Sequence, residues 1–420
     1  MDLLILADDL TGALDTGIQF VKRGVNTRVI FDPSYPLENV DGQVEVLVVD
    51  TESRHIEPAK AAEIVGSIVR QAVRIGVRCI YKKTDSALRG NVGAELGAAL
   101  EASDQTQLHF IPAFPDTKRG TVQGIHYIDG VPVAESVFGK DPFNPVRYSR
   151  VADILGTQTD IQVQEIGLKD VAGDKAGIQV YDAVTNEDIL QRGLELKKND
   201  KLKLLAGCAG FAGILSELME MGGQMQPVPP AQEPFFMICG SVNPITRAQV
   251  KDAVETGAFQ YLQMPPEQTL TLHWFTTEEG KAELAKWRKL IAEKQHCIVD
   301  TNDIPGGTPV AEYAAGKGFD IEEVRRRIPL AMGEALKGLL DEGASATWMV
   351  TGGDLLMGFI QTMGIYEITP LCELFTGTVL SKVTVNGRSQ LLISKSGGFG
   401  DEKLLTNVLA KLFPNYKEEN

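Results

Sequence analysis

Two adjacent carboxylates, Asp8 and Asp9, follow a short apolar run in the segment ADDLTGALDTG (7–17). An aspartate in that place is a good helix N-cap. One cap needs only one carboxylate, so a second, with Thr11, Gly12 and Asp15 close behind, points to a functional site. A second charged segment, YKKTDSALRGNVGAEL (81–96), crowds Lys82, Lys83, Asp85 and Arg89 after another apolar run. Thr51-Glu52-Ser53-Arg54 follows a third such run and supplies an arginine suited to an anion. Carboxylates mixed with cations suit a polar substrate whose hydroxyl must be oriented or deprotonated.

The second half carries a different signal, made mostly of glycine. Gly240-Ser241-Val242-Asn243, Thr351-Gly352-Gly353-Asp354 and Ser396-Gly397-Gly398-Phe399-Gly400 each end an apolar run. Glycines between a strand and a helix let backbone N–H groups approach an anion at the positive end of a helix dipole. A single such turn also fits an ordinary cap, but three in one region suggest a nucleotide cradle. GxxxxGK[ST] is missing, which removes the P-loop, and no GxGxxG opens a helix after a strand, which disfavours a nicotinamide dehydrogenase. The residues 116–121 (DTKRGT) are expected as a phosphate-facing or lid loop. The five histidines show no metal or triad spacing, and only His126, beside a hairpin signal at Asp129-Gly130, stands near other motifs. Arg325-Arg326-Arg327 with Glu322 and Glu323 reads as a solvated helix face.

The elements that must position these residues are legible as short apolar runs alternating with helical patterns. Strands are expected at 3–7, 44–49, 77–81, 108–111, 178–181 and 202–206, with helices between them. After 222–234, rich in glycine and proline, the alternation restarts with strands near 235–239, 259–262, 297–300, 347–350 and 391–394. The pattern predicts an α/β protein of two domains, each built on a mostly parallel sheet flanked by helices. The expected division is 1–221, a linker at 222–234, and 235–420. In open sheets of this kind, ligands bind beyond the carboxyl ends of the strands, where all the motifs fall.

Composition narrows the class. The chain has 420 residues, 43% of them hydrophobic and 23% charged, as in a globular enzyme of about two or three domains. A net charge of −15 argues against nucleic acid or an anionic membrane as a partner. Five cysteines without CxxC spacing fit buried free thiols and a reducing compartment. With no run of about 18 apolar residues and no signal-peptide pattern, a cytoplasmic protein is expected.

The set of motifs resembles the four-carbon acid sugar kinase family, which includes threonate, erythronate and 3-oxo-tetronate kinases. The resemblance rests on ADDLTGALDTG, YKKTDSALRGNVGAEL, the segment 113–149, GSVNPITRAQV, VTGGDLLMG and SKSGGFG, spread over nearly the whole chain. It implies an N-terminal domain for the sugar acid and a C-terminal domain for ATP, contacted by Ser241, Gly352, Gly353, Asp354, Leu355, Gly397 and Gly398. Leu355 stands where the family usually has threonine, and Ala87 also replaces a threonine. The resulting expectation is an ATP-dependent kinase acting on a hydroxyl of a small sugar acid. Asp9 or Asp85 would orient or deprotonate the hydroxyl with Asp8 assisting, and Lys83, Arg89 and Arg54 would hold the acid. Mg²⁺ would bridge the ATP phosphates, through Asp354 as one ligand, and domain closure would accompany transfer. The sequence leaves a homodimer open. The alternative is a non-catalytic regulatory protein that binds a sugar acid and nucleotide, which would need cations but not carboxylates beside the hydroxyl.

Overall fold

A computed structural model of the chain describes residues 1–141, 144–225, 227–303, 306–395 and 398–414. The chain divides into two compact units, Met1–Gln226 and Pro227–Asn420.

The first unit holds β1 (Leu3–Ala7), β2 (Thr27–Ile30), β3 (Val46–Asp50), β4 (Cys79–Lys83), β5 (Gln107–Ile111), β6 (Arg119–Val122), β7 (Ile125–Ile128), β8 (Val131–Pro132), β9 (Val163–Ile166), β10 (Gly177–Tyr181) and β11 (Leu204–Gly207). Eight of these strands form a parallel sheet in the order β2-β3-β1-β4-β11-β5-β10-β9. Every residue of β1, β3, β4 and β10 is buried, because helices cover both faces. One covering helix, Pro58–Arg74, starts with proline at its first turn and buries Ala61, Val65, Ile68, Val69 and Ala72 along one stripe. Of these, Val65, Ile68, Val69 and Ala72 meet Leu4, Leu6, Leu47 and Val49 in a shared core. The strand order reverses between β1 and β4. The chain first winds outward through β2 and β3, then crosses to β4, and this leaves a crevice beyond the carboxyl ends of β1 and β4.

The hairpin expected at Asp129-Gly130 is present: β6, β7 and β8 form a small antiparallel sheet, with Asp129 and Gly130 at φ 50° and 79°. The segment expected as a loop at 116–121 is instead a 3₁₀ turn, Pro115–Thr117, that leads into strand β6.

The second unit contains β12 (Phe235–Cys239), β13 (Gln260–Gln263), β14 (Cys297–Asp300), β15 (Thr347–Thr351), β16 (Glu367–Phe375), β17 (Thr378–Val385) and β18 (Arg388–Lys395). Its order is β13-β14-β12-β15-β18-β17-β16, parallel as far as β18 and antiparallel beyond it. Each unit is thus α/β, on a mostly parallel sheet flanked by helices.

The antiparallel strands β16 and β17 fall outside the alternation read from sequence. Pro370 and a register shift between Pro370 and Cys372 interrupt the period of β16, which hides it. Asn386 and Gly387, both at positive φ, form the turn into β18.

The helix Gly353–Met363, which starts from the Gly352 turn, packs on the long helix Ile321–Asp341 at Gly358. A Cβ at Gly358 would stand 2.8 Å from the carbonyl carbon and oxygen of Pro329, a backbone that cannot rotate away. Gly358→Val should therefore destabilise the second unit by about 1–3 kcal/mol through overpacking. All three tryptophans, Trp274, Trp287 and Trp348, lie in that unit, so fluorescence-detected urea unfolding reads it directly.

Candidate functional site

At the crevice of the first unit, three strand ends converge on one guanidinium. Asp8 and Asp9 follow β1, Arg54 lies four residues beyond β3, and Asp85 lies two beyond β4. Arg54 donates from Nε to Asp8 Oδ2 at 2.7 Å and pairs through Nη1 with Asp9 Oδ2 at 2.8 Å. Its Nη2 is 3.8 Å from Asp85 Oδ1. The loop that carries Arg54 is tied down by backbone as well, since Ser53 and Arg54 N–H groups donate to the Asp8 carbonyl at 3.1 and 3.2 Å. A Cβ at Gly90, whose φ is 85°, would stand 2.9 Å from Arg54 Cγ, so glycine is required where the 84–91 turn passes the arginine.

The two acids after β1 divide the work. Asp9 caps the helix Leu10–Val21, its Oδ1 accepting from Gly12 N at 3.0 Å, while Oδ2 faces Arg54. Its side chain keeps 26% of its surface exposed, against 3% for Asp8. Burial works to raise the Asp8 carboxyl, but the charges of Arg54, Lys82 and Lys83 outweigh it and the net shift is downward. Asp8 Oδ1 is buried without a hydrogen-bond partner among the described residues.

Asp85 is saturated. Its Oδ2 accepts from the N–H groups of Ala87 and Arg89, both at 3.2 Å, and from Arg89 Nε at 2.9 Å; its Oδ1 accepts from Arg89 Nη2 at 3.0 Å. Burial opposes ionisation, yet Arg54, the Arg89 hydrogen bonds and charge, and Lys83 hold the carboxyl well below the usual range. A carboxylate so stabilised is a weak proton acceptor. The Arg89 fork is occupied in turn, by Asp85 and, through Nη1, by Asp141 at 3.2 Å.

Lys82 is fully buried and pairs with Glu95 Oε2 at 3.0 Å. Lys83 turns its ammonium to the Thr84 carbonyl at 2.9 Å and toward Gly12, where a Cβ would stand 2.9 Å from its Nζ. His126 donates from Nε2 to the Ser86 carbonyl (2.9 Å) and accepts from Thr121, and its burial lowers its pKa to about 4. It is a neutral strut under the 84–90 turn.

Asp50, the last residue of β3, was missed because the apolar run was read as ending before it. Burial and then the charge of Glu52 push its carboxyl well above the usual range. Its Oδ1 accepts from Glu52 N at 3.1 Å.

In the second unit, the glycine turns follow β12, β15 and β18, which are neighbours in the sheet. Gly240 N–H donates to the Thr351 carbonyl at 3.1 Å, and a Cβ at Gly352 (φ 107°) would stand 3.5 Å from Ser241 N. The first two turns thus lie against each other. Leu355 is buried with its side chain against Gly240, so it offers this turn backbone only. Asp354 is exposed and bridged by Arg325, which donates from Nε (3.0 Å) and Nη2 (3.2 Å). Of the arginine run, Arg326 and Arg327 do pair with Glu323, and Arg327 also donates to the Leu270 carbonyl. The third turn is anchored by Gln249 Nε2, which donates to the carbonyls of Phe399 and Asp401 at 3.0 and 2.9 Å. Among the described residues, the nearest atom to a Cβ at Gly398 would be Asn243 Nδ2 at 4.0 Å. Gly397 lies outside the described residues.

Two groups at these strand ends escaped the sequence reading. Asp300, ending β14, is buried and accepts from Arg247 Nη1 (2.6 Å), Tyr261 Oη (2.8 Å) and Asn302 Nδ2 (2.7 Å). Lys395, ending β18, donates to Thr246 Oγ1 at 3.1 Å, and burial lowers its pKa to about 8. Both close strands that look apolar, and only three-dimensional neighbours reveal them.

The comparisons with known proteins agree with this geometry. Residues 3–215 match the family model described as a sugar-binding N-terminal domain, and residues 236–405 match the one described as a nucleotide-binding C-terminal domain. The chain belongs to the four-carbon acid sugar kinase family. Among its relatives, a D-threonate kinase of Salmonella typhimurium is 27% identical, the match covering 97% of this chain and 98% of the relative. A D-erythronate kinase of Heliobacterium modesticaldum is likewise 27% identical, covering 98% and 99%. A solved Salmonella typhimurium structure described as a putative tRNA synthase superposes with a TM-score of 0.81 at 19% identity, covering 97% of this chain and 99% of that one. At that identity the likeness establishes the fold alone. No described helix is long and apolar enough to cross a membrane.

The Asp85 pair makes a pH prediction. A carboxyl depressed in the folded state stabilises above its ordinary value of 3.8, and that contribution is lost as pH falls through the folded value. Asp85→Asn should cost about 3 kcal/mol near neutral pH, because Arg54 and Arg89 each lose one of their carboxylate partners. The gap to the wild type should narrow on acidification below 3.8, as the wild-type carboxyl also takes up its proton. Urea unfolding followed by circular dichroism at several pH values measures both.

Proposed function

We propose that the protein transfers the terminal phosphoryl group of ATP to a hydroxyl of a four-carbon sugar acid of the threonate or erythronate type. The observation that carries this reading is Asp9. It is a partly exposed carboxylate at a parallel-sheet switch point, fixed on one side by a helix N-terminus and on the other by Arg54. A protein that only sensed an acid would gain nothing from an anion there, whereas a phosphotransferase uses it to orient or deprotonate the attacking hydroxyl. Among the site acids, Asp85 is saturated and Asp8 and Asp50 are buried, so the partly exposed Asp9 takes this role and Asp8 supports it. Arg54 and Arg89 act through the carboxylates they hold.

On the donor side, the N–H groups of the 240–243 and 352–355 turns and the open Gly398 turn form a cradle that side chains would fill, which suits phosphates. Ser241, Gly352, Gly353, Asp354, Leu355 and Gly398 would line it. Mg²⁺ would neutralise charge on the phosphates. No cluster of three or more acidic, histidine or cysteine residues suited to a metal occurs among the described residues. That is compatible with a magnesium ion carried mainly by phosphate and water, with Asp354 as one protein ligand. The family's chemistry fits work in the cytoplasm.

Two variants test the reading on its two sides. Asp9→Asn retains the cap but loses the charge and the proton acceptor. Single-turnover kcat should fall roughly a hundredfold with ATP affinity unchanged, whereas a capping role alone leaves the rate nearly intact. A Cβ at Gly398 meets no neighbour closer than 4.0 Å among the described residues, so the fold should tolerate Gly398→Val. Calorimetric titration should show weaker binding of a non-hydrolysable ATP analogue, and unchanged affinity would remove this turn from the nucleotide site.

A further inference from the structure

The acid reading requires a cation with an unoccupied face, and the two expected arginines do not offer one. The Arg54 guanidinium is shared among Asp8, Asp9 and Asp85, and Arg89 is gripped by Asp85 and Asp141. A substrate carboxylate that displaced one of these internal partners would leave a buried anion unpaired, so the exchange gains little.

Arg119, the first residue of β6, differs. It forms no ion pair among the described residues, and its Nε is buried without a hydrogen-bond partner. Among the described residues its guanidinium donates from Nη1 to Ser86 Oγ, in the same 84–90 turn as Asp85. The guanidinium also lies 5.4 Å from the Phe138 ring centroid, and Arg89 lies 5.1 Å from the same ring. Ring and hydroxyl therefore hold the plane of Arg119 while most of its five N–H donors stay unspent. The charges of Lys83, Arg119 and Asp85 all act on Cys208, whose thiol burial pushes upward, so the three share one neighbourhood. Lys83 likewise has no ion-pair partner among the described residues.

We infer that Arg119, assisted by Lys83, is the group that binds the carboxylate of the sugar acid and selects acids over neutral sugars. The inference rests on the acid-kinase reading above and adds the residue that recognises the anion. It also gives β6 a purpose: the small antiparallel sheet is the arm that carries this guanidinium to the strand ends of the main sheet.

The test compares D-threonate with its neutral amide in the wild type, Arg119→Gln and Arg119→Lys. Removing a charged hydrogen bond of this kind should raise KM for the acid about tenfold to a hundredfold, leave KM for the amide and for ATP unchanged, and so erase the preference for the acid. Arg119→Lys, which keeps charge but loses the fork, should fall between. An unaltered ATP KM also shows that the variants are folded. If Arg119→Gln keeps the wild-type acid-to-amide ratio, the inference is wrong while the kinase reading stands. Calorimetry with D-threonate and D-erythronate separates the remaining case: a wild type that binds neither acid removes the acid reading and this inference with it.

Discussion

The first unit depends on the Arg54 guanidinium. Asp8, Asp9 and Asp85 arrive from the ends of two neighbouring strands, and three carboxylates so close would repel one another and force protonation. Arg54, reaching in from a third strand, turns that repulsion into a charge-assisted network that keeps Asp8 and Asp85 ionised. The surrounding sequence serves this contact. Ser53 and Arg54 hydrogen-bond to the Asp8 carbonyl, Gly90 gives the arginine stem its space, and Asn91 Nδ2 donates to the carbonyls of Ser53 and Ile56. Behind the network, Glu95 ties Lys82 to Ser53. The result is a pre-organised anionic point, Asp9, whose position is set before any substrate enters.

The two units wind their sheets alike. β2-β3-β1-β4 in the first corresponds to β13-β14-β12-β15 in the second, with the first strand central, the second at the far side and the fourth across the switch. Each topology opens a crevice at the same relative strand ends. What differs is the chemistry placed there. The first crevice is built of side-chain charge, which suits the hydroxyl acid proposed for it. The second is built mainly of glycine backbone, which suits the proposed phosphates, with Lys395 and the Asp300 cluster at its strand ends. One winding thus supports two kinds of recognition, and function follows the residues at the turns rather than the fold.

The sequence was most legible where local and tertiary signals coincide. Fully apolar strands such as Leu3–Ala7 and Phe235–Cys239 announce central positions, and glycine turns announce close backbone approach. It was least legible where the period is broken or where a charge ends an apolar strand. Pro370 and its bulge concealed β16; Asp50, Asp300 and Lys395 looked like the edges of hydrophobic runs. The residue types around Asp9 were readable, but their pairing was not. Nothing in the spacing of Arg54, Asp85 and Arg89 says which cation is consumed by which carboxylate. That assignment needs the register of three strands, and on it rests the inference that Arg119 rather than Arg89 recognises the acid.

The central claim is that this carboxylate-centred site performs chemistry and does not merely bind. The most direct measurement is ADP release from ATP across a panel of four-carbon sugar acids and their oxo derivatives, with the phosphorylated product identified by phosphorus NMR. The account predicts ADP formation that depends on one or a few of these acids and equals the phosphorylated acid formed. Tight binding of an acid and of ATP with no ADP and no phosphorylated product would contradict it, and would make the protein a sensor built on a kinase fold.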